Sequence, residues 1–547
     1  MEDFIFGTLS TDPLKMLFQR VTKSGIQHAY LTQPRDPKPG DAVKIIVESG
    51  PDLVVEEMAC YFTVDGSNPV GTKGKASTGE VVFCDQIDLV WDTVNWGYRK
   101  RWEACIPPQP DGTEVRYLIS GWNDQGLEVF ADWPDVKSTI EQAAKIYFDT
   151  KSTPQMKFRG TPGEPRIFNY YVDELKPPTW ARQAIIYHIF VDRFNQGNDR
   201  DWKQTKNPKQ AFGGTIDGVT EKLDYIKDLG ANAIWLSPIF PSPSIHRYDA
   251  TDYYHVAAEL GGDEALKKLV EKAHTKGIRI ILDLVCNHIS FQHPYFLDAY
   301  NNKNSPYRNW FYFDEADEIG YRTFFGVRKM PQVNLNTPEA RQWMLDIARY
   351  WLEEFDVDGY RLDHANGPGP GFWGEFWQVC KSAKPESICF GEVVEPPDVQ
   401  RQYLGRMDGL LDFHLCEALR KGMGTENWSS QQLNNFLVNH SDYWNKEFLM
   451  MTFIDNHDMD RFLYIADNDI EKLKRAAEIQ FEFPGPPIIY YGTEVGLKQT
   501  LSKTSAIGLE ASRGAMVWGE GQNQEIYHFY QDLIQKRMME KPWEHQD

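Results

Sequence analysis

Residues 264–285 read EALKKLVEKAHTKGIRIILDLV, a helical pattern closed by Gly277 and followed at once by an apolar strand at 278–285. The same texture extends both ways from residue 181 onward. Strand candidates stand at 184–190, 231–237, 278–285 and 357–363, with weaker ones at 387–391, 409–413, 448–454 and 487–492. Between them lie helical stretches such as VTEKLDYIKDLG (219–230) and PEARQWMLDIARYWLEEF (338–355). Eight β-then-α repeats in one run predict an α/β fold, a (β/α)8 TIM barrel. The interval 289–338 is too long for a loop and rich in aromatics and Asn, so it reads as a small subdomain inserted after strand 3.

Upstream the pattern changes. Up to residue 148, short Val/Ile/Tyr/Phe-rich runs are punctuated by Asp-Gly, Pro and Asn-Pro turns, which predicts an all-β sandwich. In TEVRYLIS (113–120), Val115, Tyr117 and Ile119 alternate with polar neighbours, as in a half-buried strand. Trp91, Trp96, Trp102, Trp122 and Trp133 are read as core residues or as a platform for sugars. The Pro-, Gly- and Lys-rich stretch 149–178 reads as a linker, leaving 179–547 for the barrel.

The 547-residue chain holds 41% hydrophobic and 25% charged residues, a normal globular balance. Its formal net charge of -21 disfavours nucleic acid and anionic membranes, whose recognition needs clustered Lys and Arg. The seven scattered cysteines lack metal-ligand or redox spacing and read as reduced thiols of a cytoplasmic protein. No signal peptide or transmembrane run is expected.

Barrel enzymes build their sites at the C-terminal ends of the strands. Strand 3 ends DLVCNH, placing Asp283, Asn287 and His288 there. Strand 4 ends GYRLDHANG, with Arg361, Asp363 and His364. Strand 5 ends at Glu392, and strand 7 runs into FIDNHD, with Asp455, His457 and Asp458. Repeated polar clusters at one end of successive strands point to carboxylate chemistry, because buried charges need partners. Two carboxyl groups facing one bond are what glycoside cleavage requires, one protonated and one ionised. Arg361, two residues from Asp363 and on the same strand face, is expected to keep Asp363 ionised. Glu392, with no Lys or Arg near it in sequence, is expected to stay protonated. No His-x-His or HExxH spacing occurs, so no metal site is predicted.

These segments, in this order, resemble the α-amylase superfamily, glycoside hydrolase family 13. DLVCNH, GYRLDHANG, GEVVE and FIDNHD resemble its four signature regions, and MPQVNLN (330–336) its fifth. IIYHIFVDRF (185–194) and HRYDATDYYHV (246–256) resemble its first strand and the loop after its second. The resemblance implies a retaining hydrolase of α-1,4-glucosidic bonds in starch-type glucans, maltooligosaccharides, cyclodextrins or pullulan. It implies Asp363 as nucleophile, Glu392 as general acid/base and Asp458 as transition-state stabiliser. It further implies that Arg361 supports Asp363, that His288 and His457 hold hydroxyls, and that Tyr248 stacks beneath the sugar.

The β-rich first domain and the Met-Pro of MPQVNLN are most similar to the neopullulanase, cyclomaltodextrinase and maltogenic amylase group, which implies a homodimer through the N-terminal domain. The chain departs from that group in Gly367, where a Glu is usual, and in His364, where a smaller apolar residue is usual. No cofactor is implied. A structural calcium ion is an open expectation: DRFNQGNDRDW (192–202) resembles the group's calcium loop, but Thr215 replaces an acidic residue. The family's C-terminal β-domain is expected to be absent, since about fifty residues follow IIYYGTEVG and end as a barrel helix. A transglycosylase of the same family, with the same triad, is the alternative.

Overall fold

The computed structural model describes residues 12–133, 165–198, 200, 202–203, 207–314, 319–444 and 448–544. The chain divides into two compact units. One holds the residues up to Leu175 together with Val394–Arg406, and the other holds Lys176–Val393 and the chain from Met407 onward.

In the first unit, Val43–Ser49, Gly97–Ile106 and Asp85–Asp92 form one antiparallel sheet, with short strands at Ile26–Gln27 and Thr32–Gln33. Glu57–Thr63, Glu80–Phe83, Thr113–Trp122, Glu128–Phe130 and Phe168–Val172 form the other. Alternation does the work here: Val43, Ile45 and Val47 from one sheet and Val115, Tyr117 and Ile119 from the other enter one common core. The tryptophans divide. Trp102 and Trp122 are buried, whereas Trp91 and Trp96 are exposed at the 91–98 hairpin.

The expected linker is corrected in part. Residues 134–164 lie outside the described residues, but Phe168–Val172 is a strand in register with Thr113–Tyr117. Phe168, Tyr170 and Val172 are buried in the sandwich core, so the flanking Pro and Gly conceal a strand of alternating pattern.

In the second unit eight parallel strands stand in sequence order around a barrel: β1 (Ile186–Ile189), β2 (Ala233–Leu236), β3 (Arg279–Val285), β4 (Gly359–Asp363), β5 (Ile388–Gly391), β6 (Gly409–Leu411), β7 (Leu449–Met451) and β8 (Ile488–Tyr490). β8 pairs with β1, and the β7–β8 seam is closed by a parallel bridge at Thr452 and Pro487. Every residue of β1, β2, β4 and β5 is buried, as strands covered on both faces must be.

The connecting helices follow their signals. Gly262–Thr275 and Pro338–Glu354 keep their expected extents, while 216–229 splits at Lys222 into Ile216–Glu221 and Leu223–Leu229, the latter ended by Gly230 at φ 100°. Gln524–Glu540 is the last helix described. The insert after β3 carries a helix at Pro294–Asn301, and bridges pair Phe311 with Val333, Thr323 with Pro331 and His288 with Gln332. The MPQVNLN motif thus lies against the residue that ends DLVCNH. Among the described residues no helix is long and apolar enough to cross a membrane.

Candidate active site

The site begins with strand register. In β3 and β4, Asp283 pairs with Arg361 and Val285 with Asp363, so parallel neighbours carry an acid and a base at the same height. Gly359 makes the approach of β4 to β5 close enough. Its φ is 141°, and a Cβ there would stand 1.9 Å from the Ile388 carbonyl oxygen.

Arg361 is fully buried and divides its fork among three carboxylates. Nη1 donates to Asp283 Oδ1 at 2.9 Å and to Asp363 Oδ1 at 2.9 Å. Nη2 lies 2.9 Å from Glu392 Oε2. Glu392 Oε2 also accepts the His364 amide at 3.1 Å, across a turn in which His364 has φ 44°. Asp283 receives two more donors, Trp235 Nε1 at 3.1 Å and the Tyr248 hydroxyl at 3.0 Å.

The fourth carboxylate, Asp458, arrives from the loop after β7. His457 Nε2 stands 2.5 Å from the Tyr248 hydroxyl and 3.1 Å from Asp458 Oδ2, and the Tyr248 and His457 rings lie parallel, 5.4 Å apart. Asp458 Oδ1 accepts Arg513 Nη2 at 3.0 Å. Hydrogen bonds link His457, Tyr248, Asp283, Arg361 and Asp363, and ion pairs extend this path to Asp458 at one end and Glu392 at the other. His288 is buried with its ring on Phe324, 4.5 Å between centroids, and its Nε2 finds no hydrogen-bond partner of good geometry among the described residues. Burial pushes its imidazole down to about 3, so it is neutral.

Two sequence expectations need correction. Glu392 has no Arg near it along the chain, yet it shares Arg361 with Asp363, because neighbouring parallel strands bring Glu392 to a guanidinium 31 positions back in the chain. Nor is the cation reserved for Asp363. Burial pushes the Asp363 carboxyl well above the usual range, Arg361 opposes that, and Glu392, Asp283 and Asp458 add to the rise. Asp283 is likewise raised by burial against the pull of Arg361. Burial would also raise Asp458, but His457, Arg513 and Arg361 hold it below the ordinary range. Four clustered acids facing two arginines favour retention of a proton within the group, as acid–base chemistry requires.

All seven residues expected at the site, Tyr248, His288, Arg361, Asp363, Glu392, His457 and Asp458, lie on the loops and strand ends at the C-terminal rim of the barrel. Sequence reasoning missed Arg513 and Glu510, which lie beyond β8 in a segment with no chemical motif of its own. It also left Gly367 unexplained. A Cβ there would stand 2.0 Å from Asn287 Oδ1, so this chain places the Asn287 amide where a longer residue at 367 would need room.

In the loop expected to hold calcium, Asp199 and Asp201 lie outside the described residues, and the described Asp192, Asn195 and Thr215 have partners within the chain. Asp192 accepts the amides of Phe212 and Gly213 and pairs with Arg193, and Asn195 Nδ2 donates to the Gly218 carbonyl. Thr215 Oγ1 donates to the Gln196 carbonyl and caps the helix at Ile216–Glu221. The Asp192 carboxylate and the Thr215 hydroxyl are thus engaged within the chain rather than left open to a hard divalent ion.

Residues 188–535 match the alpha-amylase catalytic domain. The chain belongs to the alpha-amylase family. This family member is 40% identical over 377 residues to alpha-amylase 2 of Dictyoglomus thermophilum, covering 68% of this chain and 66% of that protein. It is 36% identical over 421 residues to a cyclomaltodextrinase of Thermoanaerobacter pseudethanolicus, covering 72% and 70%. A solved cyclomaltodextrinase structure matches with a TM-score of 0.62 at 26% identity, over 94% of this chain and 84% of that one. The chain thus spans about two thirds of the length of these curated relatives.

Proposed function

We propose that this alpha-amylase family member is a retaining glycoside hydrolase of α-1,4-glucosidic bonds in starch-type glucans, maltooligosaccharides and cyclodextrins. The observation that carries the reading is Arg361, whose one buried guanidinium holds Asp283, Asp363 and Glu392, with Asp458 joined through His457 and Tyr248. Glu392 gives its proton to the glycosidic oxygen as Asp363 attacks the anomeric carbon, and the leaving sugar departs. Glu392 then takes a proton from water, whose oxygen displaces Asp363 and restores both carboxyls. Asp458, held ionised, faces the positive charge that develops on the sugar ring in each step. The buried neutral imidazole of His288 and the Tyr248–His457 pair suit the hydroxyls and the apolar face of that sugar.

The relatives named alpha-amylase 2 and cyclomaltodextrinase support hydrolysis over transglycosylation. The seven free thiols, six of them buried, suit a reducing, cytoplasmic setting. A homodimer through the first unit belongs to the same proposal, and light scattering at micromolar concentration tests it.

Product analysis on soluble starch, β-cyclodextrin and pullulan tests the activity. Shortened oligosaccharides are expected, with Glu392→Gln inactive. Products longer than the starting sugar assign the chain to transfer instead, and an active Glu392→Gln removes the acid/base assignment.

A further inference from the structure

Arg513 lies between β8 and the last helix, outside every motif in the sequence, yet it is buried beside the site. Its Nη2 donates to Asp458 Oδ1 at 3.0 Å and its Nε to the His457 carbonyl at 2.8 Å, so one fork grips two successive residues of FIDNHD. Its Nη1 donates to Glu510 Oε1 at 2.9 Å. Glu510 Oε2 in turn accepts Arg193 Nη2 at 3.0 Å, and Arg193 Nε lies 3.0 Å from Asp192 Oδ2. Five charges of alternating sign thus run from the loop after β1 to Asp458.

The backbone that carries Arg513 is pinned on both sides. Arg461 Nε donates to the Ser512 carbonyl at 3.0 Å, and the Tyr491 hydroxyl donates to the Gly514 carbonyl at 2.6 Å. A surface staple does not need this much bracing. A side chain that fixes the orientation of a half-open carboxylate does, because a displacement of one ångström at a reacting group is costly.

We infer that Arg513, braced by Glu510 and Arg193, is the positioning residue of the reaction, setting the rotamer and the charge of Asp458. The inference rests on the reading of Asp458 as the stabilising carboxylate. Asp458 is faced by His457 from its own loop, Arg361 and Asp363 from β4, His246 and Tyr248 from the loop after β2, and His188 from β1. Of these only Arg361 is a permanent cation, and it is already shared by three other acids. Removal of Arg513 therefore leaves Asp458 easier to protonate.

Arg513→Gln, Arg513→Lys and Arg513→Ala, beside Asp458→Asn, test this in β-cyclodextrin hydrolysis, with Tm and full pH profiles for each protein. Arg513→Gln is expected to lose about 100-fold in kcat with little change in KM. The acid limb of its profile moves to higher pH. Arg513→Lys keeps the charge without the fork, so it keeps the wild-type acid limb while kcat stays depressed. Added guanidinium restores part of the activity of Arg513→Ala. A merely structural role moves Tm and the folded fraction but neither the limb nor the response to guanidinium. Folded Gln and Lys variants within threefold of wild-type kcat, beside an inactive Asp458→Asn, would overturn the inference alone. An active Asp458→Asn overturns the reading of the site and the inference with it.

Discussion

Asp358 and Asp363 stand five residues apart at opposite ends of β4, both buried, and the barrel treats them in opposite ways. Asp358 meets an excess of donors: His274 Nε2 at 2.7 Å, Arg279 Nη1 at 3.0 Å, Lys384 Nζ at 3.2 Å and the Ile280 amide at 2.8 Å. Burial would raise its pKa, but His274, Lys384 and that amide hold it below the usual range. Asp363 shares a single guanidinium with two other acids, and burial drives it upward. A satisfied buried charge supports the fold, whereas a contested one stores chemistry at a cost in stability. The N-terminal rim of the barrel is built for stability and the C-terminal rim for reaction.

That contrast can be broken first at its reactive end. Asp363→Asn is expected to lose on the order of 10⁴-fold or more in kcat while unfolding no earlier than wild type, since it relieves a crowded anion. Steady-state kinetics and calorimetry on one sample check both halves, and an active variant with a lowered Tm reverses the assignment. At the other end, Asp358→Ala is expected to cost about 2–3 kcal/mol of stability, because it orphans buried donors. Its kcat per folded molecule stays within threefold of wild type, measured by urea unfolding alongside an active-site titration.

The pH dependence sharpens the same comparison. The folded pKa of Asp363 is raised, so its ionised form opposes folding at neutral pH and the opposition vanishes once it is protonated. The stability advantage of Asp363→Asn should therefore be largest near neutrality and close as pH falls below about 4, the unfolded carboxyl value. Asp358 has a lowered folded pKa, so its contribution is present above about 4 and is lost as pH falls further. The deficit of Asp358→Ala then shrinks only in acid. Melting curves across pH separate the two, and parallel curves for both variants contradict the scheme.

The smallest expected effect lies at Gly367. Gly367→Ala pushes a methyl toward Asn287 Oδ1, 2.0 Å from the ideal Cβ position, so Asn287 must turn away from its bond to His288. A few-fold rise in KM with kcat nearly unchanged is expected, since the disturbance lies beside a hydroxyl-binding residue rather than the reacting carboxyls. An unchanged KM removes Asn287 from the site.

Much of this was readable from residues 264–285 outward, because strand and helix alternate eight times in one run, as a (β/α)8 barrel requires. The polar strand ends were readable too, since Asp363, Glu392 and Asp458 each follow an apolar run that fixes where they emerge. The strand at 168–172 was hidden by its Pro- and Gly-rich surroundings.

The sequence by itself determined the barrel, its order of strands and the residues at its reactive rim, because these depend on local periodicity and on position at a strand end. Only the tertiary structure decided how the charges are shared. Arg361 serves three carboxylates, and Arg513 reaches back across 55 residues to Asp458. Asn287 occupies the space that Gly367 leaves. Electrostatic partnership depends on distance through space and on burial, neither of which is written in the separation of residues along the chain.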